Sequence, residues 1–178
     1  NQFGTFLCFA ILALGLDLIW GYCGVLSLGQ GVFFGFGAYC TGLYLSLQIG
    51  SESVYGSELP DFMVWTQVKE LPLFWYPFKS FVGGFLGAIL VPVLFATIFG
   101  FLAFRSRIKG VYFAIITQAL AFAAWLVFNR NETRLGGTNG LTDFKQALGF
   151  RLTDPATQRG LYILTVLALC AAYLVCRW

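Results

Sequence analysis

The chain has 178 residues, of which 58% are hydrophobic, 19% aromatic and 11% charged, with a formal net charge of +3. Soluble domains carry about 25% charged residues, so the polar surface is too small to cover a water-soluble globule and the implied solvent is a lipid bilayer. The basic excess is small and scattered, which excludes a nucleic-acid-binding footprint.

Taken in chain order, segment A covers about residues 3–20, just long enough to span a membrane. Asp17 lies one turn before Trp20, and Trp20 with Tyr22 reads as an interfacial anchor, placing Asp17 near the headgroups. Residues 21–39 are rich in glycine. Glycine costs about 1 kcal/mol relative to alanine inside a helix, so these positions need a compensating use. Close backbone packing is one; a break that exposes backbone polar groups is the other.

Gly21 to Gly24 reads as the break, followed by segment B at about residues 26–49. Ser27, Gly31, Gly35, Ala38, Gly42 and Ser46 are spaced by four, four, three, four and four residues, so on a continuous helix they share one face. Gly31 and Gly35 form a G-x-x-x-G pair, and the stripe predicts close helix packing. It is not a dinucleotide fingerprint, because no strand–turn–helix pattern surrounds it.

Residues 50–77 form a loop carrying Glu52, Glu58, Asp61, Lys69 and Glu70, and its aromatic runs at 62–65 and 71–77 read as interfacial. Segment C, about 81–104, holds a second small pair, Gly83 and Gly87, and a central Pro92 that predicts a bend. Residues 105–110 make a tight basic turn with Arg105, Arg107 and Lys109. Segment D, about 111–128, has Thr117 and Gln118 as its strongly polar interior residues, suited either to interhelical hydrogen bonding or to lining a polar path.

The connection at 129–159 contains Gly136, Gly137 and Gly140, which predict a turn. Asp143 with Gln146 resembles a capping box, predicting a short helix over 143–148 ended by Gly149. Asp154 before Pro155 reads as the N-cap of segment E, which runs to Trp178.

The expected architecture is all-α: a single transmembrane domain over residues 1–178, with about five spans and a glycine-rich break before the second. Its start at Asn1 and its end inside an apolar run suggest a fragment of a longer membrane protein, lacking earlier and later spans. The five cysteines, Cys8, Cys23, Cys40, Cys170 and Cys176, lie in or beside apolar runs and read as packing residues. With no histidine, no metal site or cofactor is expected.

The chain lacks the nucleotide-binding, nucleophile-elbow and zinc-protease motifs, so catalysis is not expected. No ladder of intramembrane charges supports ion transport. Apolar spans with glycine breaks and isolated neutral polar groups suit passage of a small neutral or zwitterionic solute. A passive channel for a neutral solute and a scaffold without transport remain open readings of the same pattern.

A family resemblance adds to this reading. Residues 14–34, from Leu14 through Gly21, Gly24, Ser27, Gly29, Gln30 and Gly31 to Phe34, look like the signature stretch of branched-chain amino acid type permeases of ABC importers. Residues 105–120, including Lys109, Gly110, Thr117 and Gln118, are similar to a second block of that family. Residues 131–144 resemble its urea-importer branch more than its amino acid branch.

The resemblance implies a multi-pass subunit of a bacterial inner membrane. Its implied partners are a second related permease, two cytoplasmic ATPases that hydrolyse ATP, and a periplasmic solute-binding protein. In this family a cytoplasmic loop that docks the ATPase follows the span corresponding to segment E, so that loop would lie beyond Trp178. The candidate pathway residues are Ser27, Gln30, Thr117 and Gln118; the candidate helix-packing residues are Gly31, Gly35, Ala38, Gly42, Gly83 and Gly87. Charge alone leaves the orientation open. Arg105, Arg107, Lys109 and Arg177 lie on one side, against Lys69, Lys79, Arg130, Arg134, Lys145, Arg151 and Arg159 on the other. The resemblance places the 105–110 turn in the cytoplasm and the loops at 50–79 and 129–159 in the periplasm.

Overall fold

A computed structural model describes residues 2–50, 56, 59–65, 71–108, 110–142 and 144–178. Lys109, Asp143, and the loop charges Glu52, Glu58, Lys69 and Glu70 lie outside the described residues. The main elements are the helices α1 (Gln2–Cys23), α2 (Gln30–Leu47), α3 (Asp61–Trp65), α4 (Phe81–Arg105), α5 (Val111–Asn129) and α6 (Pro155–Arg177), with a 3-10 helix at Leu73–Lys79. Four of them, α1, α4, α5 and α6, are long and apolar enough to cross a membrane. The chain is an all-α polytopic membrane protein.

The second expected span differs from the others. α2 has 18 residues and is diluted by glycine, threonine, serine and tyrosine. It is also the most enclosed helix, with Val32, Cys40, Gly42, Leu43, Tyr44 and Ser46 buried. A helix with one side enclosed by protein does not need a lipid-compatible surface on every side. Its most extensive contact is with antiparallel α4. There Phe33 meets Phe99 at 6.5 Å between ring centroids and Phe36 meets Phe95 at 4.6 Å. Tyr44 lies edge-on to Phe81 at 5.8 Å. α1 packs on α6, and the groove between them is lined by Ala10, Ala13, Asp17 and Tyr173.

The ends of the helices follow local chemistry. Ser80 caps α4: its hydroxyl accepts the Gly83 N–H at 3.1 Å. α4 then runs through Pro92 as one helix and closes in a Schellman turn. In it, the Arg107 N–H reaches the Phe104 carbonyl at 3.0 Å and the Ile108 N–H reaches the Ala103 carbonyl at 3.4 Å. Arg107 takes the left-handed position at φ 54° that glycine usually fills. α6 starts at Pro155 after Asp154 as expected, but no side-chain bond from Asp154 caps it.

Two expectations are corrected. α1 does not end before Gly21; it continues through Cys23, and the non-helical stretch runs from Gly24 to Gly29. Of the proposed helix over 143–148, Asp143 lies outside the described residues, and residues 144–148 are not helical but lead into a minimal hairpin, in which β1 (Gln146–Ala147) pairs antiparallel with β2 (Phe150–Arg151). The turn residues Leu148 and Gly149 have φ of 54° and 79°, which bends the chain back before a helical turn can close.

On the side where α2 ends, Leu43, Met63 and Trp75 form a small buried core. Leu47, Leu59, Phe62, Leu71, Phe78 and Leu141 pack around it. The aromatic run at 71–77 therefore has two faces: Leu73, Phe74 and Tyr76 are exposed, while Trp75 is fully buried.

Candidate functional site at the glycine break

Gly24 ends α1. Its N–H still bonds the Trp20 carbonyl at 3.1 Å, but its φ of +64° turns the chain out of the helix. Backbone that leaves the helical ladder inside a membrane must find other partners. Leu28 N–H donates to Thr117 Oγ1 on α5 at 3.0 Å. The Gly29 carbonyl accepts from Val32 N–H at 3.0 Å and starts α2.

Gly29 shows why the chain carries no side chain here. It is buried, and a Cβ at this position would stand 2.7 Å from the Thr117 carbonyl oxygen. Thr117 is 1% exposed. Its single hydroxyl proton is shared between the Phe113 and Ala114 carbonyls, 3.0 and 2.9 Å away, leaving its lone pairs for the break.

Of the four candidate pathway residues, three share one junction. Ser27 lies buried in the break beside Leu28, and Thr117 holds that stretch from α5. Gln30, half-buried, leads into α2, with Nε2 3.3 Å from the site of a Cβ on Gly15 of α1. Gln118 does not join them; it is exposed on α5. The polar side chains at the junction are hydroxyls and an amide, all neutral. Ser27 therefore belongs to the break and not, as the continuous-helix reading required, to the helix itself.

The small-residue stripe is also resolved into separate contacts. Gly31 and Gly35 have nothing within 4 Å of a built Cβ. With Ala121 and Ala124 of α5, and Tyr39 and Trp125, they line an open groove of about 260 Å³. Gly42 is covered by Leu141 and Phe144, which a Cβ there would meet at 3.0 and 3.6 Å, and Ala38 is exposed. The close approach of α2 to α4 uses Gly37 and Gly84 instead: a Cβ on Gly37 would stand 3.1 Å from the Ala88 carbonyl oxygen, and one on Gly84 would stand 2.7 Å from Tyr44 Cβ. Gly83 and Gly87 face the 3-10 helix: a Cβ on Gly83 would run into the Pro77 carbonyl, and one on Gly87 would stand 2.6 Å from the Phe78 ring.

Spacing alone did not single out Gly29, Gly37 and Gly84, because glycine is frequent throughout this region. The usable signal for Gly29 was its position beside Leu28 and Gln30, at the boundary where the helical pattern starts.

A family model described as the permease component of the branched-chain amino acid transport system matches residues 1–178. The chain belongs to this permease family. It is a multi-pass transport component and not a catalytic enzyme. No curated protein and no solved structure matches it. In this permease the interruption between α1 and α2, Gly24 to Gly29, lies within the glycine-rich run at 21–39, and the rest of that run is helical.

Proposed function

We propose that this permease is the membrane-spanning subunit of an ABC importer and forms part of the path for urea or a similar small neutral amide. The observation that carries the permease reading is the family match over residues 1–178. The neutral chemistry of the junction supports the solute class. Urea is planar and uncharged, so it requires hydrogen-bond donors and acceptors at short range and no counter-charge. Ser27, Gln30 and the backbone of the break supply these, and Gln118 offers a further amide on the exposed face of α5. Thr117 stands behind the break. The groove bounded by Gly31, Gly35, Ala121 and Ala124 continues from it.

In this reading a second related permease completes the path. Two cytoplasmic ATPases drive alternating access, and a periplasmic solute-binding protein delivers the solute at a bacterial inner membrane. The 105–110 turn faces the cytoplasm. A membrane-impermeant thiol reagent applied to intact cells should label a cysteine at Asn139 and spare one at Ser106, in a cysteine-free background; the opposite pattern overturns the orientation.

The test of function is ATPase-dependent uptake of labelled urea by the assembled transporter. Uptake that survives loss of the ATPases points to a passive channel. Competition by leucine with no urea transport favours branched-chain amino acids, the solute class named in the family description. In the same assay Gln118→Leu should lower urea uptake by roughly tenfold with normal accumulation in the membrane, the loss of about one hydrogen bond to the solute. Wild-type kinetics in that variant would remove Gln118 from the path.

A further inference from the structure

The break is tied to α5 through one side chain. Thr117 Oγ1 accepts the Leu28 N–H at 3.0 Å, and Gly29 rests directly on the Thr117 backbone. The hydroxyl is itself held in orientation by the Phe113 and Ala114 carbonyls one turn back. Phe113 in turn packs on Phe99 and Phe104 of α4, at centroid distances of 6.4 and 5.7 Å. The position of the break is therefore referenced to α5 and, through Phe113, to α4. Toward the far end of α5, Phe128 meets Tyr39 at 4.0 Å and Phe36 at 5.6 Å. The groove of about 260 Å³ lies between these two attachments.

We propose that Thr117 is a positioning residue for transport: its hydroxyl latches the break against α5 and sets the mouth of the groove, without touching the solute. Water cannot replace this bond while Thr117 remains 1% exposed. The transport half of the inference rests on the solute-path reading above. The latch itself is measurable whatever the solute.

The experiment compares wild-type, Thr117→Val and Thr117→Ser in the assembled transporter. Valine keeps the shape and removes the acceptor, whereas serine keeps the hydroxyl and removes the methyl group. Deuterium exchange at the amides of residues 24–29 should be roughly three- to tenfold faster in the valine variant, the equivalent of one lost hydrogen bond. Serine should restore it. The maximal uptake rate should fall with valine and recover with serine, while KM stays constant.

Unchanged exchange with valine, or equal acceleration with serine, overturns the latch. Faster exchange with full uptake overturns the positioning role and leaves the solute-path reading standing. If the valine variant does not accumulate, Gly29→Ala carries the test. Its Cβ meets the Thr117 carbonyl at 2.7 Å and lifts the break with the hydroxyl intact. Faster exchange is again the expected result, and wild-type exchange overturns the inference.

Discussion

Trp75→Ala should be among the most destabilising single substitutions in the described chain, lowering stability by about 3–5 kcal/mol, the usual cost of deleting a buried aromatic side chain. Trp75 is fully buried and packs with Leu43 and Met63, and its ring lies 5.8 Å from that of Phe62. These contacts join the 3-10 helix and α3 to the end of α2, so the cavity left by alanine sits between these elements. Thermal unfolding in detergent micelles reads the loss.

The indole supplies an internal control. Its Nε1 is buried and has no hydrogen-bond partner among the described residues. A buried donor without a partner costs about 1–3 kcal/mol. Trp75→Phe removes that donor while keeping an aromatic ring, so it should cost much less than alanine. If phenylalanine is as damaging as alanine, the indole N–H matters more than the packing, and the core argument fails.

How much of this was legible in the sequence depends on which physical signal each feature left. The long apolar runs specified α1, α4, α5 and α6 because a bilayer requires about 20 apolar residues per span. Asp154 and Pro155 marked the start of α6 correctly, since proline has no N–H to lose in a first turn. The break was legible as a glycine anomaly, but its boundaries were not. A Cβ on Gly21 would meet nothing within 4 Å and Gly21 is accommodated inside α1, whereas Gly24 adopts φ +64°. Nothing in the sequence separates those two glycines.

The stripe from Ser27 to Ser46 illustrates a second limit. Periodicity identifies a face but not what covers it. Phe33, Phe36 and Tyr44, on other faces of α2, carry the aromatic contact with α4, while Gly31 and Gly35 were left to the groove. The hairpin at 146–151 was missed for a local reason. Leu148 is an unusual residue for a left-handed turn position, so the sequence lacked the Asn-Gly signal that normally marks such a turn. Of the candidate pathway residues, the side chains near the break were brought together because chain connectivity fixes two of them and one hydrogen bond fixes the third. Gln118 follows Thr117 directly, and one helical step turns it onto a different face.

Gly83→Val should cost about 3 kcal/mol, at the upper end of the usual penalty for overpacking. On α4, Gly83 is pressed against the Pro77 carbonyl, the last turn of the 3-10 helix that carries Trp75. The obstacle is backbone, and Ser80 fixes it further by accepting the Gly83 N–H at 3.1 Å. A side chain at this position must therefore push the 3-10 helix off α4 and disturb the core around Trp75. The penalty should exceed any gain from replacing glycine in a helix, which is at most about 1 kcal/mol even for alanine.

Two neighbours separate this steric argument from a general intolerance of α4. A Cβ at Gly87 would stand 2.6 Å from the edge of the Phe78 ring, and a ring edge can rotate away, so Gly87→Ala should cost clearly less. Gly4 on α1 has open space around it, and Gly4→Ala should be neutral or mildly stabilising. The expected order of thermal unfolding midpoints is Gly4→Ala highest, Gly87→Ala intermediate and Gly83→Val lowest. A Gly83→Val protein melting at or above the wild-type midpoint would show that the 3-10 helix does not rest on α4 as described.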